Sequence, residues 1–362
     1  MGNMIIDSLQ LYSYKLPLKK ELVLHGHKIS HREGFILEIV SDNGIKVISE
    51  IAPLPFFSQE SPADVLKEVV LFKNKFVRKA IPSDLIQQLS IYAPSVRFGI
   101  ESAFLQLTAQ SKDLTLVDLL NPNAKQIVSV NALLTGNQTE IVKRAAQRYE
   151  DGYRAFKIKI GRSNLHDEIS AIHKVREIVG DESLIRLDAN RAFDITTALD
   201  FYEQLKSVNI DYIEEPFKSF ELVQQYFDDH HDKMPIALDE SLVEIHPEML
   251  NNLFALKAIV LKPTLLGYTN SMMFAKKAFA LGIQPVISSS FETSIGTYIL
   301  ASMGAIIDSM IPIGVDTLSW FEDDLIPNPI TITKGKIDLS KPIDIISQLD
   351  FSKLTEVVLD NK

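Results

Sequence analysis

Five charged residues stand at regular intervals in the middle of the chain, each at the end of a short apolar run. They are Lys159, Asp188, Glu214, Asp239 and Lys262, separated by 29, 26, 25 and 23 residues. Each interval has room for one strand, one helix and two short loops, which is the repeat of a (β/α) barrel. Because barrel enzymes carry their chemistry at the C-terminal ends of the strands, these five side chains are predicted to meet at one mouth.

The types of these residues indicate a metal-assisted reaction. Asp188, Glu214 and Asp239 supply three hard oxygen ligands, which suit Mg²⁺ and leave room for water and substrate. Without a cation, three converging carboxylates would repel one another strongly. Lys157 and Lys159 share one face of a strand, and crowding beside a second ammonium group and a divalent cation lowers the pKa of a lysine toward that of a useful base. The set suits removal of a proton next to a carboxylate, with the metal stabilising the ene-diolate.

The pattern of strands and helices around these residues predicts a barrel preceded by a smaller domain. Eight strand-like runs extend from 127–134 to 311–316, and strands 2 and 6 place Lys159 and Lys262 on opposite sides of the mouth. Seven helices are expected between them, near 138–150, 165–179, 194–207, 219–230, 246–254, 268–281 and 294–307.

The predicted fold class is therefore α/β, a (β/α)7β TIM-like barrel with an N-terminal α+β capping domain. The cap is placed at residues 1–120 and the barrel at residues 121–316. The tail, 317–362, has no room for a further strand–helix unit, and it is expected to complete the cap.

The composition excludes several classes of protein. A net charge of −10 over 362 residues argues against a nucleic-acid partner, which requires clustered Lys and Arg. The absence of cysteine excludes disulfides, thiol catalysis and Cys-ligated zinc. The N-terminus lacks the pattern of a signal peptide, and no apolar run approaches the roughly 18 residues of a membrane span. We therefore expect a cytoplasmic protein without a membrane partner; nothing in the composition indicates an oligomeric state.

At these residues the chain resembles the enolase superfamily, in its muconate-lactonising branch, through the Lys-x-Lys of strand 2 and the Lys-Pro of strand 6. Longer stretches are similar to the o-succinylbenzoate synthase family across nearly the whole chain. They are Glu50-Ile-Ala-Pro-Leu-Pro, Phe57-Ser-Gln-Glu, Pro94-Ser-Val-Arg-Phe-Gly, Arg186-Leu-Asp-Ala-Asn-Arg, Leu238-Asp-Glu-Ser-Leu, Lys262-Pro-Thr-Leu, Ile287-Ser-Ser-Ser-Phe-Glu and Gly314-Val-Asp-Thr-Leu.

The resemblance implies a role for each matching residue. Lys159 matches the acid/base lysine, Lys262 the lysine across the substrate ring, and Lys157 the first lysine of the pair. The other matches are the metal ligands Asp188, Glu214 and Asp239, the supporting residues Asn190 and Glu240, and the substrate-binding residues Ser288, Ser290 and Gly314. The implied cofactor is Mg²⁺, for which Mn²⁺ can substitute, and the implied partner is a small carboxylate substrate.

The resemblance also implies the reaction. It is the syn-dehydration of 2-succinyl-6-hydroxy-2,4-cyclohexadiene-1-carboxylate to 2-succinylbenzoate in menaquinone biosynthesis, with Lys159 removing the proton and then protonating the leaving hydroxide. The family's first domain caps the barrel, so the loops near 20–28 and 53–58 are expected to form the lid. Phe56 stands where relatives often have a smaller residue, and it is expected to alter that lid against the substrate.

Three other functions fit parts of the pattern. An N-succinylamino acid racemase would use Lys159 and Lys262 as bases on opposite faces of its substrate. A dipeptide epimerase would be expected to carry Asp-x-Asp on strand 8, where this chain has Gly314-Val-Asp316. A non-catalytic barrel used as a scaffold would be marked by a degraded site, whereas all five charged residues are intact.

Overall fold

The computed structural model describes residues 4–24, 26–229, 234–253, 255–340 and 345–359. Their strands form a four-stranded antiparallel sheet, a seven-stranded parallel sheet and a two-stranded ribbon. No helix in these ranges is both long enough and apolar enough to cross a membrane.

The antiparallel sheet opens the chain. Its first three strands are β1 (Ile6–Leu24), β2 (His27–Ser41) and β3 (Lys46–Ile51). The turn between β2 and β3 contains Gly44 at φ 82°, a left-handed conformation that glycine adopts without strain. Two helices follow, α1 (Pro62–Phe76) and α2 (Pro94–Gln110). Ser61 caps α1 in a reciprocal pair with Asp64, and α2 packs on β3 with its apolar residues in the core of this unit.

The parallel sheet is the barrel. Next in chain order come β4 (Ile127–Ser129), β5 (Ala132–Leu134), β6 (Ala155–Lys159), β7 (Leu184–Asp188), β8 (Tyr212–Glu214), β9 (Ile236–Leu238), β10 (Ala258–Leu261) and β11 (Gln284–Ile287). Strands β5 to β11 pair in that order. Parallel bridges from Ile313 to Val130 and from Gly314 to Ser288 fill the eighth position and close the ring. The predicted (β/α)7β architecture is confirmed.

Within the described ranges, six longer helices surround the barrel. They are α3 (Gln138–Glu150), α4 (Leu165–Val179), α5 (Ile195–Glu203), α6 (Phe220–Asp229), α7 (Tyr268–Ala280) and α8 (Ser294–Asp308). Shorter turns of α-helix lie at Leu85–Gln88, Leu116–Leu120, Pro263–Leu266 and Ile345–Gln348. Short 3₁₀ turns lie at Leu89–Ile91, Lys206–Val208, Glu240–Glu244, Pro247–Asn252, Leu318–Trp320 and Phe351–Lys353.

Two predicted elements differ in the structure. The helix expected at 246–254 is a 3₁₀ turn over Pro247–Asn252, in a short connection that begins with proline and ends with two asparagines, which are weak helix formers; position 254 lies outside the described residues. The strand expected at 127–134 is divided into β4 and β5. The backbone N–H groups of Val130 and Asn131 donate to Gly335 and Ile313, so the chain changes partners between the two halves.

The C-terminal tail returns along the molecule. Its strand β12 (Lys336–Asp338) pairs with β4, and β13 (Leu354–Glu356) adds a fourth strand to the first sheet by pairing with β1. Beyond β13, the Val357 N–H donates to the Leu11 carbonyl. The last part of the chain is therefore joined by backbone hydrogen bonds to the first.

Two buried charged residues connect the first sheet to the barrel. Arg32, fully buried, donates to the carbonyls of Ala52 and Pro53 at 2.5 and 2.9 Å, and also to those of Phe291 and Ser290 at 3.1 and 3.4 Å. Its guanidinium therefore bridges the segment after β3 and the segment after β11, both of which border the barrel mouth.

The second connection is Glu50. Its carboxylate accepts the Tyr14 hydroxyl at 2.5 Å, the N–H and hydroxyl of Thr293, and the N–H of Gly296 at 2.8 Å. Thr293 and Gly296 belong to the first turn of α8, where unpaired N–H groups attract negative charge. Glu50, a residue of the antiparallel sheet, thus accepts hydrogen bonds at the N-terminus of a barrel helix.

Arg32→Met is expected to lower the free energy of unfolding by about 2–5 kcal/mol, because several buried carbonyls lose a charged donor. Urea denaturation followed by circular dichroism measures the change. Arg154→Met is the matched control: Arg154 is exposed, and its loss is expected to change stability by less than about 1 kcal/mol. Equal stability of the two variants would show that the Arg32 contacts contribute nothing to the fold.

Candidate functional site

Strand register brings the predicted residues together. Lys159 lies directly beside Asp188 in the pairing of β6 with β7, and Asp188 lies beside Glu214 in the pairing of β7 with β8. Neighbouring residues in register point to the same face of a sheet, so all three side chains turn into the mouth. Asp239 follows β9 and Lys262 follows β10, which extends the same rim.

The lysines and carboxylates form one buried network. The Lys157 Nζ lies 2.8 Å from Asp188 Oδ2 and 2.7 Å from Glu214 Oε1, and the Lys159 Nζ lies 2.6 Å from Asp188 Oδ2. Lys262 forms an ion pair with Asp239. Asp188 and Glu214 are fully buried, so these charges stabilise one another with little screening by water.

The pKa values of the two lysines of β6 are shifted in opposite directions. Burial works to lower the pKa of Lys157, but the carboxylates of Asp188 and Glu214 outweigh it, and the pKa is raised well above its usual value. Burial lowers the pKa of Lys159, and the neighbouring Lys157 ammonium adds to this effect against the attraction of Asp188. Lys159 is therefore the member of the pair that gives up its proton more readily.

The three carboxylates also differ in the direction in which their pKa values are shifted. Burial opposes the charged form of Asp188, yet Lys157 and Lys159 together lower its pKa. Burial raises the pKa of Glu214, and the nearby Asp188 raises it further. Burial raises the pKa of Asp239 to about 6, against the attraction of Lys262. Each lysine is thus needed to keep this concentration of negative charge inside the barrel.

The supporting residues lie beside the network. Asn190 accepts a hydrogen bond from Lys159 at 2.7 Å through Oδ1, and its Nδ2 donates to Glu240 Oε1 at 2.9 Å. Glu215 has a different role, because its carboxylate accepts the N–H groups of Asp239 and Ser241 and so fixes the end of β9 to the end of β8. Asn190 therefore orients Lys159, and Glu215 holds the rim of the barrel in shape.

The donor set suits a divalent cation. Three carboxylates stand at the ends of adjacent strands, and among the described residues the buried Glu214 Oε2 has no hydrogen-bond partner. Within the part of the chain that the structure describes, no three ligand side chains already stand in a metal-binding arrangement. In the structure Glu214 is ion-paired with Lys157 and Asp239 with Lys262. The residues fit Mg²⁺ by type and place, and the lysines occupy the carboxylate oxygens that it would bind.

The network opens into a cavity of about 630 Å³, with Lys157, Lys159 and Lys262 in its wall. The predicted pocket residues line the same cavity: Ser288, Ser290 and Gly314. A Cβ at Gly314 would lie 2.7 Å from the Ser288 hydroxyl, so the absence of a side chain keeps this wall open. Ser290 Oγ is buried without a hydrogen-bond partner among the described residues.

The lid expectation needs one correction. Lys20 to Leu24 and Leu54 line the cavity, although the first of these segments is the end of strand β1 and not a loop; position 25 lies outside the described residues. Phe56 does not line it: its ring stacks on that of His27 with centroids 4.1 Å apart. Phe57 faces the cavity instead, with the Lys262 ammonium 5.9 Å from its ring. Phe56 has φ 66° and its side chain is half exposed, and a one-residue difference in a turn leaves no signal in the sequence.

Several further residues of the cavity wall were not anticipated. Thr135, Arg144 and Arg162 all line it from the side of β5 and β6. For Thr135 and Arg162 the available signal was their position just after predicted barrel strands, whereas Arg144 lies within helix α3 and had no such signal. Asp316 is buried at the eighth position, where it accepts the Leu133 N–H and is paired with Arg148.

Two family models match the chain. The enolase C-terminal domain-like family matches residues 140–342, and the MenC N-terminal domain family matches residues 6–107. Among curated relatives, an o-succinylbenzoate synthase from Vibrio cholerae is 33% identical over 326 residues, covering 87% of this chain and 90% of that protein. One from Pasteurella multocida is 28% identical and covers 96% and 99% of the two chains.

Solved structures agree on the fold. A muconate lactonizing enzyme from Pseudomonas fluorescens, complexed with muconolactone, superposes with a TM-score of 0.83 at 21% identity and covers 97% of this chain and 98% of its own. A dipeptide epimerase from Enterococcus faecalis, complexed with Mg and the dipeptide L-Leu-L-Tyr, has a TM-score of 0.82 at 21% identity, with 92% and 97% covered.

Proposed function

The chain belongs to the enolase superfamily and, within it, to the o-succinylbenzoate synthases, and from this premise we propose how it dehydrates 2-succinyl-6-hydroxy-2,4-cyclohexadiene-1-carboxylate to 2-succinylbenzoate. The enzyme is a carbon–oxygen lyase, and its product is a precursor of menaquinone. The observation that best supports the residue roles is the contact of Lys159 with Asp188 and Asn190 in a cavity that Lys262 also lines.

Lys159 is the acid and the base. Its neutral amine removes the proton from the ring carbon that carries the carboxylate. The resulting ammonium then protonates the hydroxyl group on the same face of the ring, which leaves as water while the ring becomes aromatic. One lysine serves both steps because the elimination is syn, and a lysine whose pKa is lowered by burial and by Lys157 is suited to them.

The other two lysines remain charged. Lys262, whose pKa is raised by Asp239 and Glu240 against the effect of burial, faces the opposite side of the ring and stabilises it by a cation–π contact. Lys157 stays protonated between Asp188 and Glu214, where it lowers the pKa of Lys159. Asn190 holds the Lys159 amine toward the substrate, and Glu240 holds Asn190.

Members of the enolase superfamily bind Mg²⁺. In this chain Asp188, Glu214 and Asp239 would hold the ion, and Mn²⁺ would replace it because both are hard cations that accept oxygen ligands. When bound, the ion supplies Lewis-acid stabilisation of the negative charge that develops on the substrate carboxylate.

The remaining proposals concern the substrate pocket, the two domains and the lid. Ser288, Ser290 and Gly314 form the wall that receives the succinyl group. Residues 1–120 with the tail 317–362 form the capping domain and residues 121–316 the barrel, with the ends of β1 and the segment around Phe57 as the lid. The substrate is a small carboxylate. The acidic net charge is consistent with a cytoplasmic enzyme that has no nucleic-acid or membrane partner.

One specific observation supports a second activity, the racemisation of N-succinylamino acids. Lys159 and Lys262 line the same cavity, so the chain has a lysine for each face of a substrate, as an N-succinylamino acid racemase requires. The dipeptide epimerases are disfavoured, because Gly314 stands where the first Asp of their motif is expected.

Lys262→Arg is expected to retain more dehydration activity than Lys262→Ala, because arginine keeps a cation over the ring and a partner for Asp239. The difference in kcat should be about 10-fold, which corresponds to a desolvated cation–π contact near 1–2 kcal/mol. Steady-state rates of 2-succinylbenzoate formation measure it. If arginine is as damaging as alanine, Lys262 acts by proton transfer and not by its charge, as it would in a racemase.

Complementation tests the function in a cell. A bacterial strain that lacks its own o-succinylbenzoate synthase is expected to make menaquinone again when it expresses this chain, and not when it expresses the Lys159→Ala variant. Added 2-succinylbenzoate should rescue both cultures, which controls for the later steps. Failure of the wild-type chain, when folded protein is recovered from the cells, would contradict the proposed function.

A further inference from the structure

Among the described residues, six cations line the catalytic cavity, and they fall into two groups. Lys157, Lys159 and Lys262 each form an ion pair with a carboxylate of the network. The other three, Lys20, Arg144 and Arg162, have no carboxylate within ion-pairing distance in the same part of the chain. Lys20 and Arg162 are exposed to water, but Arg144 is half-buried, and a partly buried cation without a carboxylate partner favours an anionic ligand. The second group therefore points to negative charge on the ligand outside the carboxylate network.

Arg144 is the best placed of the three to bind a carboxylate. It is half-buried on α3, and its Nη1 donates one hydrogen bond, to Thr135 Oγ1 at 3.3 Å. Of its five N–H donors, the other four have no protein acceptor within the described ranges. Arg148, one turn later on the same helix, is paired with Asp151 and Asp316. Arg148 therefore has carboxylate partners, whereas Arg144 has none among the described residues.

The other two unpaired cations have different surroundings. Lys20 is exposed, and its ammonium lies 5.7 Å from the ring of Trp320. Arg162 is exposed and donates to Asn190 Oδ1 at 3.2 Å, the same oxygen that Lys159 donates to. Arg162 therefore belongs with the groups that hold the catalytic amine.

Arg144 lies on the side of the barrel mouth where the far end of a bound substrate is expected. Thr135 follows β5, the first strand position, and Asp239 follows β9, the fifth, so the two lie across the mouth from each other. A ligand whose first carboxylate lies at the carboxylate network would extend its other end toward β5. Glu140 also lines this side, but its Oε2 accepts the Asn137 N–H at the start of α3 and is engaged there.

We propose that Arg144, supported by Thr135, binds the distal carboxylate of the succinyl chain and so selects dicarboxylate substrates. This assignment rests on the proposed function for the identity of the ligand. The planar guanidinium can donate two parallel hydrogen bonds to a carboxylate, which a lysine cannot do. The same charge would repel the free ammonium group of a dipeptide. The residue sets specificity and has no part in moving the proton.

The test compares two ligands, 2-succinylbenzoate and its distal monomethyl ester, on the full-length protein loaded with Mg²⁺. Titration calorimetry is expected to show that Arg144→Gln weakens binding of the diacid by about 10- to 100-fold, the usual range for a charge-assisted hydrogen bond. The ester, which lacks the distal charge, should lose less than about threefold. In turnover, KM for the substrate should rise by a similar factor and kcat should change much less.

Two variants serve as controls. Arg144→Lys keeps the charge without the planar donors, and it is expected to recover part of the affinity. Lys143→Gln removes an exposed positive charge at the adjacent position of α3, and it should leave both affinities unchanged. Equal losses for diacid and ester in Arg144→Gln, or no loss for either, would overturn the assignment. If the wild type makes no 2-succinylbenzoate, the proposed function fails, whereas the comparison of ligand affinities still decides the role of Arg144.

Discussion

Lys159→Ala is expected to lower kcat for dehydration by at least about 10²–10⁴-fold, the usual contribution of one acid–base group, because the variant loses base and acid together. The side chain is held by Asp188 and Asn190, so its loss leaves no other amine in the same position. Stopped-flow or steady-state absorbance of the aromatic product measures the rate.

Two variants separate loss of proton transfer from loss of charge. Lys159→Arg keeps the ion pair with Asp188, but arginine does not deprotonate in proteins, so it should be nearly as inactive as alanine. Lys174→Ala removes an exposed lysine of α4 and should change kcat by less than about twofold. Turnover of Lys159→Ala within tenfold of the wild type would contradict the assignment of the base.

Loss of one carboxylate is the second change with a large expected effect. Glu214→Gln keeps the shape of the side chain and removes its charge, and it should reduce activity by more than about 100-fold. That figure is the upper value for residues that only support a metal ligand, and a ligand itself should cost more. Asp188→Asn and Asp239→Asn should behave alike.

Metal affinity distinguishes this loss from simple misfolding. Mn²⁺ binding followed by electron paramagnetic resonance should weaken in Glu214→Gln, and chelation of the wild type should abolish turnover until Mg²⁺ or Mn²⁺ is added. Glu244→Gln, which changes an exposed carboxylate paired with Arg191, should leave binding unchanged. Full activity in exhaustively chelated enzyme would exclude the metal site.

The barrel and the five charged residues could be predicted because their signals are local. Each strand of the barrel is a short apolar run, and each charged residue stands at or just after its end, as Asp188 does in β7. The spacing then fixes which side chains share the mouth. The first residues of the helices follow N-caps such as Asn137 and Thr293, which the sequence displays directly.

What could not be predicted depends on contacts between distant parts of the chain. β13 pairs with β1 across more than 300 residues, and nothing in either segment specifies the other. Within the described part of the chain Arg32 has no acidic partner to suggest its position, since its acceptors are backbone carbonyls. Which of the adjacent residues Phe56 and Phe57 lines the cavity depends on the local conformation of a turn.

The most direct test of the central claim, a one-base dehydration at this barrel mouth, compares two rates on one Mg²⁺-loaded preparation. One is the formation of 2-succinylbenzoate from its cyclohexadiene precursor, and the other is α-deuterium exchange in both enantiomers of N-succinylphenylglycine. We expect efficient dehydration, abolished in Lys159→Ala, with weak or absent exchange. Fast exchange from both enantiomers with negligible dehydration would contradict the claim and identify the chain as a racemase that uses Lys159 and Lys262 in turn.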